Sequence, residues 1–265
     1  MYAFTYHRPA SIDEAAKLAA SQDEGKVMAG GMTLLPTMKQ RLAGPSDIID
    51  LSRLDDLRGI EVKGDTVTIK ALTRHVTVAN SAEVKKAIPA LAELAGMIGD
   101  PAVRNKGTIG GSVANDDPAA DYPSACLALG ATINTTKRAI KADDFFVGLF
   151  ETALEPGELI TSITFPIPQK ANYQKFRNPA SRYAIVGVFV AKFADGVRVA
   201  VTGAGSNGVF RVADFEKALG ANFSASALDG KSVAASGLNS DIHADAAYRA
   251  HLIGVLAKRA VTAAG

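Results

Sequence analysis

The sequence predicts an α+β fold in three successive units, and three observations carry that prediction. Short apolar runs flank helical segments over the first fifty residues. Extended runs mix with helically spaced small and apolar residues through the middle of the chain. The last hundred residues combine a strong hairpin signal with a long alanine-rich helical pattern. A chain of 265 residues is enough for two or three modest domains, at about 100–200 residues each.

Taken in order, Ser11-Ile12-Asp13-Glu14 reads as a capping box, and a helix is expected through Ala20. Lys26-Val27-Met28-Ala29 follows as a short buried strand broken by Gly30-Gly31. Residues 33–42 have helical character, with Pro36 tolerated in the first turn. Ile48-Ile49-Asp50-Leu51 then completes a strand–helix–strand unit of a small parallel sheet. Gly64-Asp65 separates two extended runs, 59–62 and 66–72, in the manner of a hairpin. Helical spacing over 82–98 is divided by Pro89. A glycine-rich stretch at 107–115 leads to a short helix over 121–129, and extended runs resume at 131–134, 138–141 and 158–165. Pro166-Ile167-Pro168 marks a boundary. Beyond it, runs at 184–193 and 197–202 form a hairpin across Asp195-Gly196, and helical patterns occupy 211–219 and 242–263.

Composition narrows the function. Hydrophobic residues make up 48% of the chain, which excludes wholesale disorder. Lys+Arg of 29 against Asp+Glu of 27 leaves no electrostatic case for nucleic acid. Cys126 is the one cysteine, so an intrachain disulfide, a cysteine zinc cage and an iron–sulfur cluster held by this chain are all excluded. Residues 1–8 show no basic region followed by an apolar core, and no window approaches the roughly 20 apolar residues of a membrane span. A cytoplasmic protein is expected, with the inner face of the membrane as an alternative location.

Two glycine-rich segments share a logic. Ala29-Gly30-Gly31-Met32-Thr33 joins a strand to a helix, and Thr108-Ile109-Gly110-Gly111-Ser112 lies in the second unit. Paired glycines let a backbone come close to a ligand, amides at a helix start attract an anion, and Thr33, Thr108 and Ser112 add hydroxyls. Converging, two such loops cradle a pyrophosphate; singly, each Gly-Gly is a turn. Gly203-Ala204-Gly205-Ser206-Asn207-Gly208 matches the dinucleotide pattern G-x-G-x-x-G, but the region some 20 positions on, 221–226, is polar and shows no second strand. It is read as a strand-to-helix connection. Asp116, Asp117 and Asp121 place three carboxylates within six residues, without a nearby histidine or a calcium-loop spacing. Asp121 is expected to cap the following helix and is also available to a ligand hydroxyl. His75, near the end of an extended run, is read as a satisfied structural imidazole, and no Ser–His–Asp or Cys–His spacing supports hydrolysis.

Three motifs in this order carry a family resemblance: AGGMTLLPTMKQR at 29–41, VRNKGTIGGSVANDDPAADYPSACLALGA at 103–131 and FFVGLFETALEPGELITSITFP at 145–166. Over essentially its whole length the chain resembles the FAD-binding medium subunit of molybdenum hydroxylases. The nearest group is the flavoprotein subunit of aerobic carbon monoxide dehydrogenase, which is also similar to the middle domain of xanthine dehydrogenase. The resemblance implies a two-lobed FAD-binding domain of the PCMH (vanillyl-alcohol oxidase-like) type, with lobes at 1–57 and 58–168. It also implies a C-terminal lobe at 169–265 with a three-stranded antiparallel sheet and helices. By motif, Ala29, Gly30, Gly31, Met32 and Thr33 would face the pyrophosphate, with Lys26 and Val27 leading in and Leu34 beside them. Thr108, Gly111 and Ser112 would form a second wall, and Asn115 and Asp121 would contact ribityl or ribose hydroxyls. Ile109 and Ile160 complete the cofactor set, and Tyr183, within NPASRYAIVGV at 178–188, would shield one flavin face. At Ile98 the chain is aliphatic where xanthine dehydrogenase stacks an aromatic residue on adenine.

The implied chemistry is electron transfer. Substrate would be hydroxylated at a molybdenum cofactor on a large subunit, and two 2Fe–2S clusters on a small subunit would deliver electrons to FAD in this chain. An external acceptor (quinone, NAD or oxygen) would receive them, and the assembly would be a dimer of heterotrimers, that is, a heterohexamer. The rival readings are a free-standing FAD oxidoreductase of similar fold, a scaffold subunit whose flavin site has decayed, and a nicotinamide-binding Rossmann module resting on 203–208.

Overall fold

The computed structural model describes residues 1–265. The first fifty residues form a three-stranded parallel sheet with Asp47–Asp50 central between Thr5–His7 and Lys26–Met28. Ser11 caps the helix Ile12–Ser21, its hydroxyl accepting from the Glu14 amide at 3.2 Å, while the Glu14 carboxylate accepts from the Ala10 amide. Ala15 of that helix packs with Ile49, Leu51, Leu54 and Leu57 in a small core that also takes in Leu72 and Leu159.

The middle of the chain forms a five-stranded antiparallel sheet. Ile60–Lys63 and Thr66–Lys70 form a hairpin, Thr66–Lys70 pairs with Ile160–Pro166, that strand pairs with Thr132–Thr135, and Ala139–Lys141 forms the far edge against Thr132–Thr135. Its helices include Ala82–Ala87 and Pro89–Gly96, divided at Pro89 as expected, and Tyr122–Ala128, all of whose residues are buried. His75 does not end an extended run; it opens the helix His75–Asn80.

The glycine-rich stretch is not an open loop. Residues Ile109–Asn115 are helical, with Thr108 as the capping residue. Asp121 makes no capping bond to the helix after it, because its backbone is already helical (φ −78, ψ −44) and its carboxylate is engaged elsewhere.

The C-terminal sheet has four antiparallel strands, not three: Lys170–Arg177, Ala184–Phe193, Gly196–Thr202 and the two-residue Phe210–Arg211. Ala184–Phe193 is buried on both faces. Val186, Val188 and Val190 meet the C-terminal helical core, whereas Phe189 and Ala191 join the core of the middle region. The tight turn falls on residues 194–195, one position early, because Gly196 pairs with Phe193 at a φ of 153° that glycine alone adopts readily.

The segment 203–208 is a strand-to-strand turn, not a strand-to-helix connection. Gly203, at φ 81°, crosses so close to Ala184 that a Cβ would lie 2.4 Å from that carbonyl oxygen. Gly205 is as tightly placed, a Cβ there lying 2.4 Å from the Gly208 carbonyl oxygen, so these two glycines serve close backbone approach. No helix of the molecule is long and apolar enough to cross a membrane.

Candidate cofactor cleft

The strand Lys26–Met28 delivers Ala29 to the rim of a cleft of about 700 Å³, a size in the range of small-molecule and cofactor sites. Gly31 turns the chain at φ 70° into the helix Leu34–Lys39. At Gly30 the chain crosses the second segment, since a Cβ there would lie 2.1 Å from the Lys106 carbonyl oxygen and 2.9 Å from Gly107 Cα. The two glycine segments therefore do converge. The amides of Gly30, Gly31, Met32 and Thr33 donate to no protein acceptor, so this turn offers a run of unpaired N–H groups of the kind that binds anions.

The opposite wall is made differently. Thr108, in extended conformation, accepts from the Gly111 amide at 3.2 Å and from the Ser112 amide through its carbonyl at 3.0 Å. The Ile109 amide donates to the Thr73 carbonyl and the Gly110 amide to the Ala71 carbonyl. This wall presents the hydroxyl-bearing Thr108 and Ser112, its amides already bonded.

Of the sequence-predicted residues, Lys26, Val27, Ala29, Gly30, Gly31, Met32, Thr33, Leu34, Thr108, Gly111, Ser112, Asn115, Asp121, Ile160 and Tyr183 line the cleft. Ile109 does not. It is fully buried with Val113, four residues on, and helical spacing turns both to the core while Thr108, Ser112 and Asn115 turn outward. Ile98 lines the cleft as well.

Tyr183 reaches the cleft from the loop joining Lys170–Arg177 to Ala184–Phe193. That loop is braced by Asn178, whose side chain accepts from the Ala180 and Ser181 amides. Burial, then the nearby Asp117 carboxylate, raises the Tyr183 phenol above its usual pKa.

Sequence reasoning missed several lining residues, among them Phe150, Leu154, Glu158 and Arg182. Burial works against ionisation of Glu158, but bonds from Arg138, Thr135 and the Glu155 amide overcome it and hold the carboxyl at about 2. Glu158 lies inside the third motif, so the signal was present without a role attached.

His75 also lines the cleft and is almost wholly buried. Burial, then Arg104, lowers its pKa to about 4, so the ring is neutral at pH 7. It leans on Tyr122 at 5.4 Å between ring centroids, and a Cβ on Gly107 would lie 2.5 Å from its Nε2. The imidazole is thus structural, yet its Nδ1 has no hydrogen-bond partner and so is not satisfied.

The three carboxylates at 116–121 take separate roles. Asp117 accepts from the Ala119 amide at 2.8 Å and lines the cleft. Asp116 points into the interior with neither oxygen partnered, and burial followed by repulsion from Asp117 lifts its pKa to about 7. Asp121 is held by Tyr173 and Lys175. No group of three or more His, Cys, Asp or Glu side chains is placed to hold a metal ion.

Residues 2–168 match the family described as "FAD binding domain in molybdopterin dehydrogenase". The chain is 37% identical to the nicotine 6-hydroxylase medium subunit of Paenarthrobacter nicotinovorans, over 99% of this chain and 98% of that protein. It is 35% identical to the carbon monoxide dehydrogenase medium chain of Hydrogenophaga pseudoflava, over 98% and 96% respectively. Among solved structures, a chain of a Cu,Mo-CO dehydrogenase superposes with a TM-score of 0.90 at 32% identity, covering 100% of this chain and 98% of that one.

Proposed function

The chain belongs to the family of FAD-binding domains of molybdopterin dehydrogenases, and from that premise we propose that it is the FAD-carrying electron-transfer subunit of a molybdenum hydroxylase. In this reading the chain is an oxidoreductase subunit that receives electrons from iron–sulfur clusters on a small partner subunit. A large partner holds the molybdenum cofactor, and the acceptor is external, of the quinone, NAD or oxygen class. The observation that carries it is the meeting of the two glycine segments, where the unpaired amides of 30–33 face a wall of hydroxyls across one cleft.

The residues present fit FAD. A Cβ at Gly30 would close the crossing on which the cradle depends. The amides of 30–33 would take the pyrophosphate, Thr108 and Ser112 would hold its other side, and Asn115 and Asp121 would meet the ribityl or ribose hydroxyls. Ile98 and Ile160 would supply apolar contact, and Tyr183 would cover one face of the ring system and exclude water there. Bound FAD supplies the redox chemistry; the chain binds, orients and insulates it. The same reading divides the chain into two lobes of a PCMH-type FAD-binding domain, 1–57 and 58–168, and a C-terminal lobe, 169–265, that closes over the cleft.

No histidine or cysteine lies in either glycine segment, so the cofactor is expected to be non-covalent. The purified complex should show a flavin absorption band, and acid precipitation should release the yellow colour into the supernatant; colour retained in the pellet would refute non-covalent binding. Size-exclusion chromatography from the native host, with metal analysis across the peak, should find this chain in an assembly containing iron and molybdenum. A metal-free 27.5 kDa species that turns over its own substrate would sink the subunit reading.

A further inference from the structure

Lys175 lies on the strand Lys170–Arg177 of the C-terminal sheet with its side chain only 1% exposed. An ammonium so placed needs a partner. Its Nζ donates to Asp121 Oδ2 at 2.8 Å and to the Met97 carbonyl at 3.2 Å. Tyr173, two residues earlier and on the same face of the strand, donates to Asp121 Oδ1. Asp121 belongs to the middle region and lines the cleft, as do Ile98 and Gly99, which follow Met97 directly.

Asp121 has no local use, since it makes no capping bond to its own helix. A carboxylate offers about four acceptor positions, and Lys175 and Tyr173 occupy one on each oxygen from behind. Resting on the FAD reading above, we propose that Lys175 is a positioning residue of the cofactor site, supplied by the C-terminal sheet. It keeps Asp121 ionised and oriented, so that the remaining acceptor positions meet a hydroxyl of the cofactor, and through the Met97 carbonyl it holds the 97–99 segment against the same wall. The titratable groups around Asp121 are Lys175, Tyr173 and Tyr183 from the C-terminal region, Asp117 from the preceding turn and Tyr122 from its own helix. Burial above all, with Asp117 adding to it, raises the Asp121 pKa, and Lys175, the one cation among these, opposes that rise together with Tyr173.

The test is FAD affinity of the full chain by flavin fluorescence quenching, from about pH 6 to about pH 9, a range in which an unpaired buried carboxyl titrates, with circular dichroism as the folding check. Wild type should bind with little pH dependence. Lys175→Met should bind about tenfold more weakly at the acid end, the size of one lost charge-assisted hydrogen bond, and recover as Asp121 ionises. The double variant Lys175→Met/Asp121→Asn, which leaves no buried charge unpaired, should bind about as weakly at every pH. Damage to packing alone does not produce a pH dependence that vanishes with the carboxylate. If Lys175→Met does not fold, Lys175→Arg beside the double variant decides: binding near wild type where the cation is kept, against weakened, pH-independent binding where it is lost, supports the proposal, and equal weakening in both overturns it. Wild-type affinity in folded Lys175→Met or in the folded double variant also overturns it. Wild type that takes up no FAD brings down the function reading and this inference together; wild type and variants binding alike bring down the inference only.

Discussion

Between residues 30 and 33 four successive amides have no protein acceptor, whereas between 109 and 112 all four are bonded within the fold. A Gly-Gly pair serves an open turn in the first case and the first turn of a helix in the second. Glycine is needed at each for its own reason. Gly30 crosses beneath the Lys106 carbonyl and Gly31 takes a positive φ, while Gly110 packs so closely on Ala71 that a Cβ would lie 2.6 Å from the Ala71 Cβ. Gly111 is the least constrained, with Thr108 Oγ1 at 3.0 Å and Ala29 Cβ at 3.4 Å from a Cβ built there. Anion-binding capacity is concentrated in the first segment. The second supplies hydroxyls and shape.

The largest expected effect separates Gly30 from Gly111. Gly30→Ala would drive a methyl into a backbone carbonyl, force the two segments apart and abolish FAD binding, with a stability loss of about 1–3 kcal/mol, the usual cost of overpacking. Gly111→Ala asks only a small shift of a hydroxyl and should lower affinity modestly. FAD titration with parallel urea melts measures both, and equal losses of affinity would break the distinction between open turn and helix start.

Buried charge distinguishes the segments further. Residues 29–33 contain no titratable side chain, whereas Asp116 ends the second segment's helix in a left-handed conformation, φ 42° and ψ 48°, with its carboxyl buried and unpartnered. Its folded pKa, raised to about 7, lies above the unfolded value, so the folded state binds the extra proton. Stability from this group is therefore lost as pH rises from about 4 through 7 and does not fall further above that. Asp116→Asn, which tolerates the same backbone, should be more stable than wild type by an increment that grows across this window to a few kcal/mol, at roughly 1.4 kcal/mol per pKa unit. Urea denaturation at several pH values checks it; a constant increment from acid to neutral pH would show that Asp116 is not the titrating group.

The smallest expected effect is at the cap. Thr108→Ala removes the acceptor for the Gly111 amide and should cost about 1 kcal/mol, with Thr108→Ser restoring it. Because the amides it organises already bond within the protein, FAD affinity should fall far less than in Gly30→Ala. A comparable fall would mean that the Thr108 hydroxyl itself carries much of the cofactor contact.

Much of the fold was legible because it is set by local chemistry. The capping box at Ser11, the helix break at Pro89 and the hairpins at 60–70 and 184–202 each follow from residues a few positions apart. Elements lacking such a signal were missed. Thr5–His7 is three residues long and largely exposed, and it is a strand because Asp47–Asp50 lies beside it. Lys170–Arg177 buries Tyr173 amid polar neighbours, so its alternation is faint and its pairing with Ala184–Phe193 defines it.

In the cleft, both glycine segments and the placing of Asp121 and Tyr183 were readable from motif. The displacement of Ile109 into the core was not, because it depends on the stretch being helical and on which helix face meets the sheet.

By itself the sequence determined the α+β class, the two glycine segments, the absence of a thiol set for a cluster and the motif order that marks the family. Tertiary structure alone decided which amides remain free, that 203–208 joins two strands, and that Asp121 faces an ammonium 54 residues away. The division has a physical cause. Caps, turns and backbone angles are energies of neighbouring residues, whereas hydrogen-bond satisfaction and the charge state of a buried group depend on every segment that folding brings against them.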